Sequence, residues 1–484
     1  SWILFFEVQV MDTRLIAKNA AALGISGVLA KAITAVVGIF VTRYLGPGPY
    51  GDYSSAYAFV GTIILFAELG LSQLMVQDCS RDPSALPGYF GNTLLVKAIV
   101  SVLCFIVMVI FMFPAGYNDT VKAMIVILGV AVCFNAMNQS VYNYYQAVQK
   151  LYLAAGFQFL TTFIIAILTL AVIIAGKGVV SITVTHLITY ILISILIALA
   201  LKNEIRPRID LASVFPMIRR GLAFGIHRLF YNTFSQLSIL VLSLTVSNVE
   251  VGIYSAAYKL VLMLIFLPSL ATSALYPILY QLGEKDKRSH MATTEKVFKV
   301  LSGIGIPGSV LIFVLSEPII HWLYAGKFDE SIPILMVVAW FFALECISFS
   351  LGDVLTTTNH QWQRTMVQGS ALVLLFVLIM VLTKLVGLMG AAYALIIVEG
   401  YIFLSYYILV RRGVYKIRIW RQLPLIIFAS LIMAGIAWPV KGLNPFIAAV
   451  LAGIVYCCLL VAFDRDFRKI GKYLWNLKNI RGKK

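Results

Sequence analysis

Four basic residues stand inside long apolar stretches of this chain: Lys31, Lys97, Arg228 and Lys259. A charge deep in hydrocarbon costs at least about 2.5–3.5 kcal/mol unless it meets water or a partner. Lys31 lies far from both ends of its stretch. Lys97, Arg228 and Lys259 lie roughly two turns from an end, where their stems can also reach the interface. Inward cations that outnumber nearby carboxylates suit an anionic cargo, and phosphate is the group such charges recognise most directly. Four acids share this environment, Glu68, Glu345, Asp353 and Glu399. Each can neutralise a cation structurally or carry a coupling proton or sodium ion.

These residues fall on helical faces. Gly24, Gly27, Lys31, Thr34, Gly38 and Thr42 recur at spacings of three and four, and Gly221, Gly225, Arg228, Asn232 and Ser235 repeat the device. A stripe of small residues alone ordinarily marks close helix packing; the embedded cations favour a cavity lining, with Thr34 and Asn232 as its polar members. Tyr53, Tyr57, Gly61 and Glu68 share another face, as do Glu345, Ser348 and Gly352. Tyr258 occupies the place of Tyr57 in a repeat described below.

The elements carrying these faces must be transmembrane helices. Of 484 residues 61% are hydrophobic and 12% charged, a balance incompatible with a water-soluble fold of this length. Apolar runs of about 20 residues fit helices across roughly 30 Å of hydrocarbon, whereas barrel strands would be about 10 residues and alternating. The expected fold is an all-α polytopic membrane protein of about 14 transmembrane helices. Spans are expected at 15–42, 53–78, 89–114, 121–148, 151–175, 179–201, 214–246, 252–282, 295–316, 331–357, 362–383, 387–410, 423–440 and 445–463. With an inside N-terminus, inner segments collect 28 Lys and Arg and outer loops six, so both termini are expected in the cytoplasm of a cell (plasma or inner) membrane protein. That asymmetry accounts for the net charge of +17 without nucleic acid. The outer segment from Glu317 to Ser331 is expected to lie in the interface, and the basic tail at 464–484 to meet anionic lipid. Residues 1–10 read as added or upstream residues ahead of a start at Met11.

No spacing of the six cysteines suggests a disulfide framework or metal site. No GxxxxGK[ST], GxSxG or HExxH pattern occurs, so neither a nucleotide motor nor hydrolytic chemistry is expected within this chain. The expectation is a transporter, not an enzyme, with no cofactor beyond a coupling proton or sodium ion.

A repeat organises the whole. Gly51 to Val60 (GDYSSAYAFV) returns as Gly252 to Val261 (GIYSAAYKLV), six of ten residues identical at an offset of 201. Six spans intervene, an even number that preserves orientation, so the halves are parallel repeats about an axis along the membrane normal. This predicts an N-lobe at 11–205, a C-lobe at 206–411, two further helices at 412–463 and the tail.

The stretch Thr42 to Tyr53 (TRYLGPGPYGDY), followed by Ala67 to Leu71 (AELGL), resembles polysaccharide flippases of the Wzx type. These are the O-antigen and lipid-linked oligosaccharide transporters of the multidrug/oligosaccharidyl-lipid/polysaccharide (MOP) exporter superfamily. The resemblance continues through Val251 to Lys259 and Leu267-Pro268, and covers residues 12–463. It implies two MATE-like six-helix lobes that alternate access and flip a polyprenyl-diphosphate-linked oligosaccharide, with Lys31, Arg228 and Lys259 contacting the diphosphate and sugar. Many relatives have about twelve spans, so the last two helices here depart from the pattern. Expected partners are the lipid-linked oligosaccharide, membrane lipids and glycan-assembly proteins, with the chain itself a monomer. The alternatives are a multidrug exporter of the same superfamily, whose cationic cargo favours an acidic cavity, and a glycan polymerase or ligase, which would need a substantial outer loop.

Overall fold

The structure, a computed structural model, describes residues 13–468 apart from 81, 203, 274, 443 and 465. Side chains are described from residue 26 onward, those of 223, 224, 227, 228, 269–271, 273, 277, 284 and 285 excepted. The segment 1–10 and most of the basic tail lie outside the described residues. The described residues are helical throughout and contain no strand.

Ser1–Gly252 and Ile253–Lys484 form two compact units. The first opens with α1 (Thr13–Leu45), a broken pair α2 (Pro47–Ile64) and α3 (Leu71–Cys79), and α4 (Leu86–Met112). It continues with α5 (Asp119–Ala147), α6 (Leu151–Ile174), α7 (Val179–Leu201) and α8 (Leu211–Ser243). Central α5 packs on α2, α3, α4, α6 and α7, while α1 lies along α6 and α8 lies along α2 and α3. Next, α9 (Asn248–Leu264) leads into the second unit, which holds α10 (Phe266–Ser273), α11 (Tyr276–Lys285), α12 (Lys287–Val314), α13 (Ser316–Tyr324) and α14 (Ser331–Thr357). It ends with α15 (Gln361–Val386), α16 (Met389–Gly413), α17 (Leu423–Val440) and α18 (Pro445–Phe463). Here α14 is central, between α12 and α16.

Among the described residues, twelve helices are long and apolar enough to cross a membrane, and the bent pair α2–α3 makes a thirteenth. The remaining expected span is α8, whose apolar portion is Leu229–Ser243 behind a basic first half. Two helices start earlier than hydropathy suggests. α2 begins at Pro47 because Gly46 turns the chain at φ 71° and proline presets the first turn. α12 begins at Lys287, where the Asp286 carboxylate accepts from the backbone N–H groups of Arg288 (3.0 Å) and Ser289 (3.1 Å), adding polar turns ahead of the apolar run.

The expected second span is not continuous. It bends by 42° between α2 and α3, around Leu69 (φ 44°) and Gly70 (φ 70°). This separates Tyr57 and Glu68, which an unbroken helix would place on one face. α8 seats its backbone in the break: a Cβ on Gly70 would stand 2.0 Å from the Gly221 carbonyl oxygen and 2.7 Å from the Gly225 nitrogen. The repeat glycines also meet backbone, since a Cβ on Gly51 would fall 1.6 Å from the Asn248 oxygen and one on Gly252 1.9 Å from the Pro47 oxygen. The two repeat helices end at matching positions, Ile64 and Leu264, within one residue of the 201-residue offset. Among the described residues the sharp bend follows the first alone, and the second runs on as one span to Pro268.

The helices beyond the repeat are docked. α17 lies on α12 and α18 on α17, around Val310, Val314, Met433, Ala437, Ala448 and Tyr456. Past α18, Asp464 and Asp466 reach Lys299 of α12 at 2.6 and 2.8 Å, and the Tyr456 hydroxyl donates to the Gly303 carbonyl at 2.9 Å. The expected interfacial segment contains α13, which buries Ser316, Ile320 and Tyr324 and exposes Trp322.

Candidate functional site

In the first unit the bend between α2 and α3 places Glu68 opposite α4. Lys97 of α4 is completely buried, its Nζ 2.8 Å from Glu68 Oε2 and 2.9 Å from Ser72 Oγ. The pair satisfies the requirement that a buried charge be compensated. Lys97 therefore serves as counter-ion to Glu68 and has no surface with which to touch a cargo. Glu68 keeps 28% of its side chain exposed and faces a cavity of about 320 Å³. Gln73, Asn135, Gln139 and Asn232 share its wall. Asn232 lies on this cavity wall, and Gln73, Asn135 and Gln139 carry no charge or motif that marks them in the sequence.

The two glycine-containing stripes separate. On α8, Gly221 and Gly225 are packing residues: Cβ atoms there would stand 2.8 Å from Leu69 O and 2.9 Å from Gly70 N. On α1 the stripe is open at Gly27, where a Cβ would meet nothing within 4 Å, and at Lys31 and Thr34, and it closes at Thr42, which is buried. Lys31 is exposed on this open face and has no ion-pair partner among the described residues. It stands 14 residues before the end of α1 at Leu45, about 21 Å along the axis. Thr34 beside it returns its hydroxyl to the Ala30 carbonyl at 2.8 Å. The Arg228 side chain lies outside the described residues.

Tyr57 packs its ring on Tyr53 at 4.4 Å and on His186 of α7 at 5.4 Å. In the second unit Lys259 is half-buried. Tyr258 is fully buried, its ring 5.6 Å from Tyr254 and 6.3 Å from Phe341. Of the two repeat tyrosines, Tyr258 is the more enclosed.

The second unit also holds a buried ionic network. Asp353 of α14 accepts from the Tyr276 hydroxyl at 2.5 Å and lies 3.4 Å from the Arg364 guanidinium, which donates to Thr356 Oγ1 at 2.7 Å. Gly352 admits this guanidinium over the α14 backbone, because a Cβ there would stand 3.0 Å from Arg364 Nε. Farther along, Glu399 of α16 faces Glu345 and Ser348 of α14. Both Glu399 carboxylate oxygens lack an aligned hydrogen bond, as do Ser348 Oγ and the Tyr406 hydroxyl, though all are buried. Such unsatisfied polar groups are costly in a bundle core and mark places where a proton or ion can bind. Arg364 carries no signal of this role in the sequence because it opens a span, where arginine ordinarily reaches headgroups.

The signature of the polysaccharide biosynthesis protein family matches residues 16–283. A search of curated protein sequences returns no match. The lipid II flippase MurJ in its inward closed conformation shares the fold at a TM-score of 0.74, with 15% identity across 92% of this chain and 99% of that one. An inward-facing multidrug resistance MATE family transporter of the MOP superfamily matches at 0.64, with 14% identity across 79% and 94% of the two chains. The eukaryotic MATE transporter AtDTX14 matches at 0.61, with 14% identity across 86% and 99%. Likeness at such identity establishes a common fold, and the families sharing it are transporters and flippases. With its signature spanning more than half of the sequence, the chain belongs to the polysaccharide biosynthesis protein family and has the multi-pass membrane fold of the MOP superfamily.

Proposed function

We propose that this protein flips a polyprenyl-diphosphate-linked oligosaccharide from the cytoplasmic to the outer leaflet by alternating access, supplying cell-surface polysaccharide such as O-antigen. The observation that carries this reading is Lys31: a cation deep in a span, on an unpacked helix face, with no ion-pair partner among the described residues. Such a charge is tolerated where water or an anion meets it, and a diphosphate supplies that anion while the lipid tail stays in the bilayer. Arg228 and Lys259 are assigned to the same cargo from the resemblance. Membership of a polysaccharide biosynthesis family supports a glycan cargo, and the distribution of Lys and Arg supports cytoplasmic termini.

A multidrug exporter shares the fold but needs an acidic pocket for cationic cargo. The acid on the first unit's cavity, Glu68, is already neutralised by Lys97, which favours the anionic cargo. We assign coupling by a proton or sodium ion to Glu399 with Glu345. Glu399→Gln is expected to make flux insensitive to an imposed gradient of the coupling ion; unchanged gradient dependence would remove the assignment. The protein is read as a monomer working beside glycan-assembly proteins.

The test is reconstitution into proteoliposomes, following a labelled polyprenyl-diphosphate oligosaccharide and, in parallel, efflux of a cationic dye. Transbilayer movement of the glycolipid without dye efflux is expected. Dye efflux without glycolipid movement would select the exporter.

A further inference from the structure

A groove of about 500 Å³ runs between α4, α5 and α7 at the end of the first unit that carries the basic connection 202–208. Its floor is apolar, built from Phe90, Leu94, Val141, Ile197 and Ala198, and its mouth carries Lys202 and Arg206. The polar groups on its wall are satisfied within it: Ser194 donates to Asn138 Oδ1 at 2.8 Å, and Asn138 Nδ2 donates to the Tyr190 carbonyl at 3.2 Å. The wall thus offers a ligand apolar contact inside and positive charge outside. No acidic side chain lines it among the described residues. Glu204, between the two cations in sequence, is committed to Lys150 at 3.2 Å. Lys202 and Arg206 are exposed and have no ion-pair partner among the described residues.

We propose that this groove binds an anionic phospholipid, its acyl chain against Phe90, Leu94 and Ala198 and its headgroup phosphate between Lys202 and Arg206. A soluble anion would leave the apolar floor unused, and an uncharged lipid would leave both cations unmet. The exposed apolar residues Ile195 (53%) and Leu199 (66%) continue the surface of α7 beside the groove, so a chain can enter from the bilayer. Basic pockets between helices at a membrane face bind anionic headgroups for this reason. Placing the site in the inner leaflet rests on the proposed orientation; binding itself does not, and it is measured without transport.

The full chain is purified in detergent and examined by native mass spectrometry after adding phosphatidylglycerol or phosphatidylcholine at equal concentration. Preferential retention of phosphatidylglycerol is expected, with apparent affinity falling about tenfold or more in the double variant Lys202→Ala/Arg206→Ala. Ala198→Trp, which fills the floor and leaves both charges, is expected to lower retention comparably. Arg411→Ala/Arg412→Ala, removing two cations outside the groove, is expected to change it less than twofold. Equal retention of both lipids, full retention by Ala198→Trp, or an equal loss in the Arg411/Arg412 variant would overturn the proposal in favour of unspecific surface attraction. The mutated side chains are exposed, and the Ala198 variant carries the test if the charge variant does not fold.

Discussion

Lys97 and Glu68 neutralise one another at 2.8 Å in a place where either charge alone would be expensive. Lys97→Met should therefore leave a carboxylate stranded and cost about 3 kcal/mol. This sits at the lower end of the range for buried pairs because Glu68 remains 28% exposed. Thermal unfolding in detergent checks this, and Lys97→Met/Glu68→Gln should recover much of the loss. No recovery would mean that the lysine matters through its stem rather than its charge. Lys31 differs in having no ion-pair partner among the described residues, so its replacement should leave unfolding nearly unchanged. Residue type alone could not distinguish these lysines, since both interrupt apolar runs. What separates them is the bend that carries Glu68 to α4, a feature formed by residues 65–70 and invisible in the pairwise spacing of charges.

At the scale of elements, the bend and its partner helix depend on backbone contact. A side chain at Gly70 would both occupy left-handed backbone and collide with Gly221, so Gly70→Ala should cost on the order of 3 kcal/mol or deplete the folded protein. Gly27→Ala, on open helix, should stabilise by up to about 1 kcal/mol. Comparing the yield of monodisperse protein and its melting temperature tests both; equal behaviour would deny the backbone seat.

The attachment of the last two helices is expected to depend on pH. Burial alone would push the Asp464 carboxyl up, but the Lys299 ammonium and the backbone N–H groups of Asp466 and Phe467 outweigh it and hold the group below its ordinary range. A carboxylate depressed on folding stabilises above its unfolded value, about 3.9, and loses that contribution as pH falls through its lower folded value. Between about pH 5 and pH 3 the wild type should therefore lose melting temperature faster than Asp464→Asn. Parallel curves would contradict the clasp. Hydropathy located these helices because each is a plain apolar run. It did not locate their docking on α12, which depends on two aspartates past α18 and one lysine of α12. Nor did it mark the break in the second span, because Leu65 to Leu71 is as apolar as the helices it joins.

At the scale of the molecule, the repeat was the most informative feature because its copies share more than composition. Gly51 and Gly252 both sit where backbones touch, and the helices that hold them end at matching positions, Ile64 and Leu264. A close approach of backbones is a structural demand that both copies meet. The second-unit network was less legible: Asp353, Glu345 and Glu399 stand out as buried acids, but Arg364 and Tyr276 join them only through the packing of α11, α14 and α15. Family and fold leave the cargo open, and the proposed choice of cargo rests on interior charge. The most direct test is the rate at which a labelled polyprenyl-diphosphate oligosaccharide crosses proteoliposomes containing wild type, Lys31→Arg or Lys31→Ala. Lys31→Arg should keep most of the flux, and Lys31→Ala should lower it at least about tenfold with its melting temperature unchanged. Full flux in folded Lys31→Ala would contradict a cargo recognised through this cation.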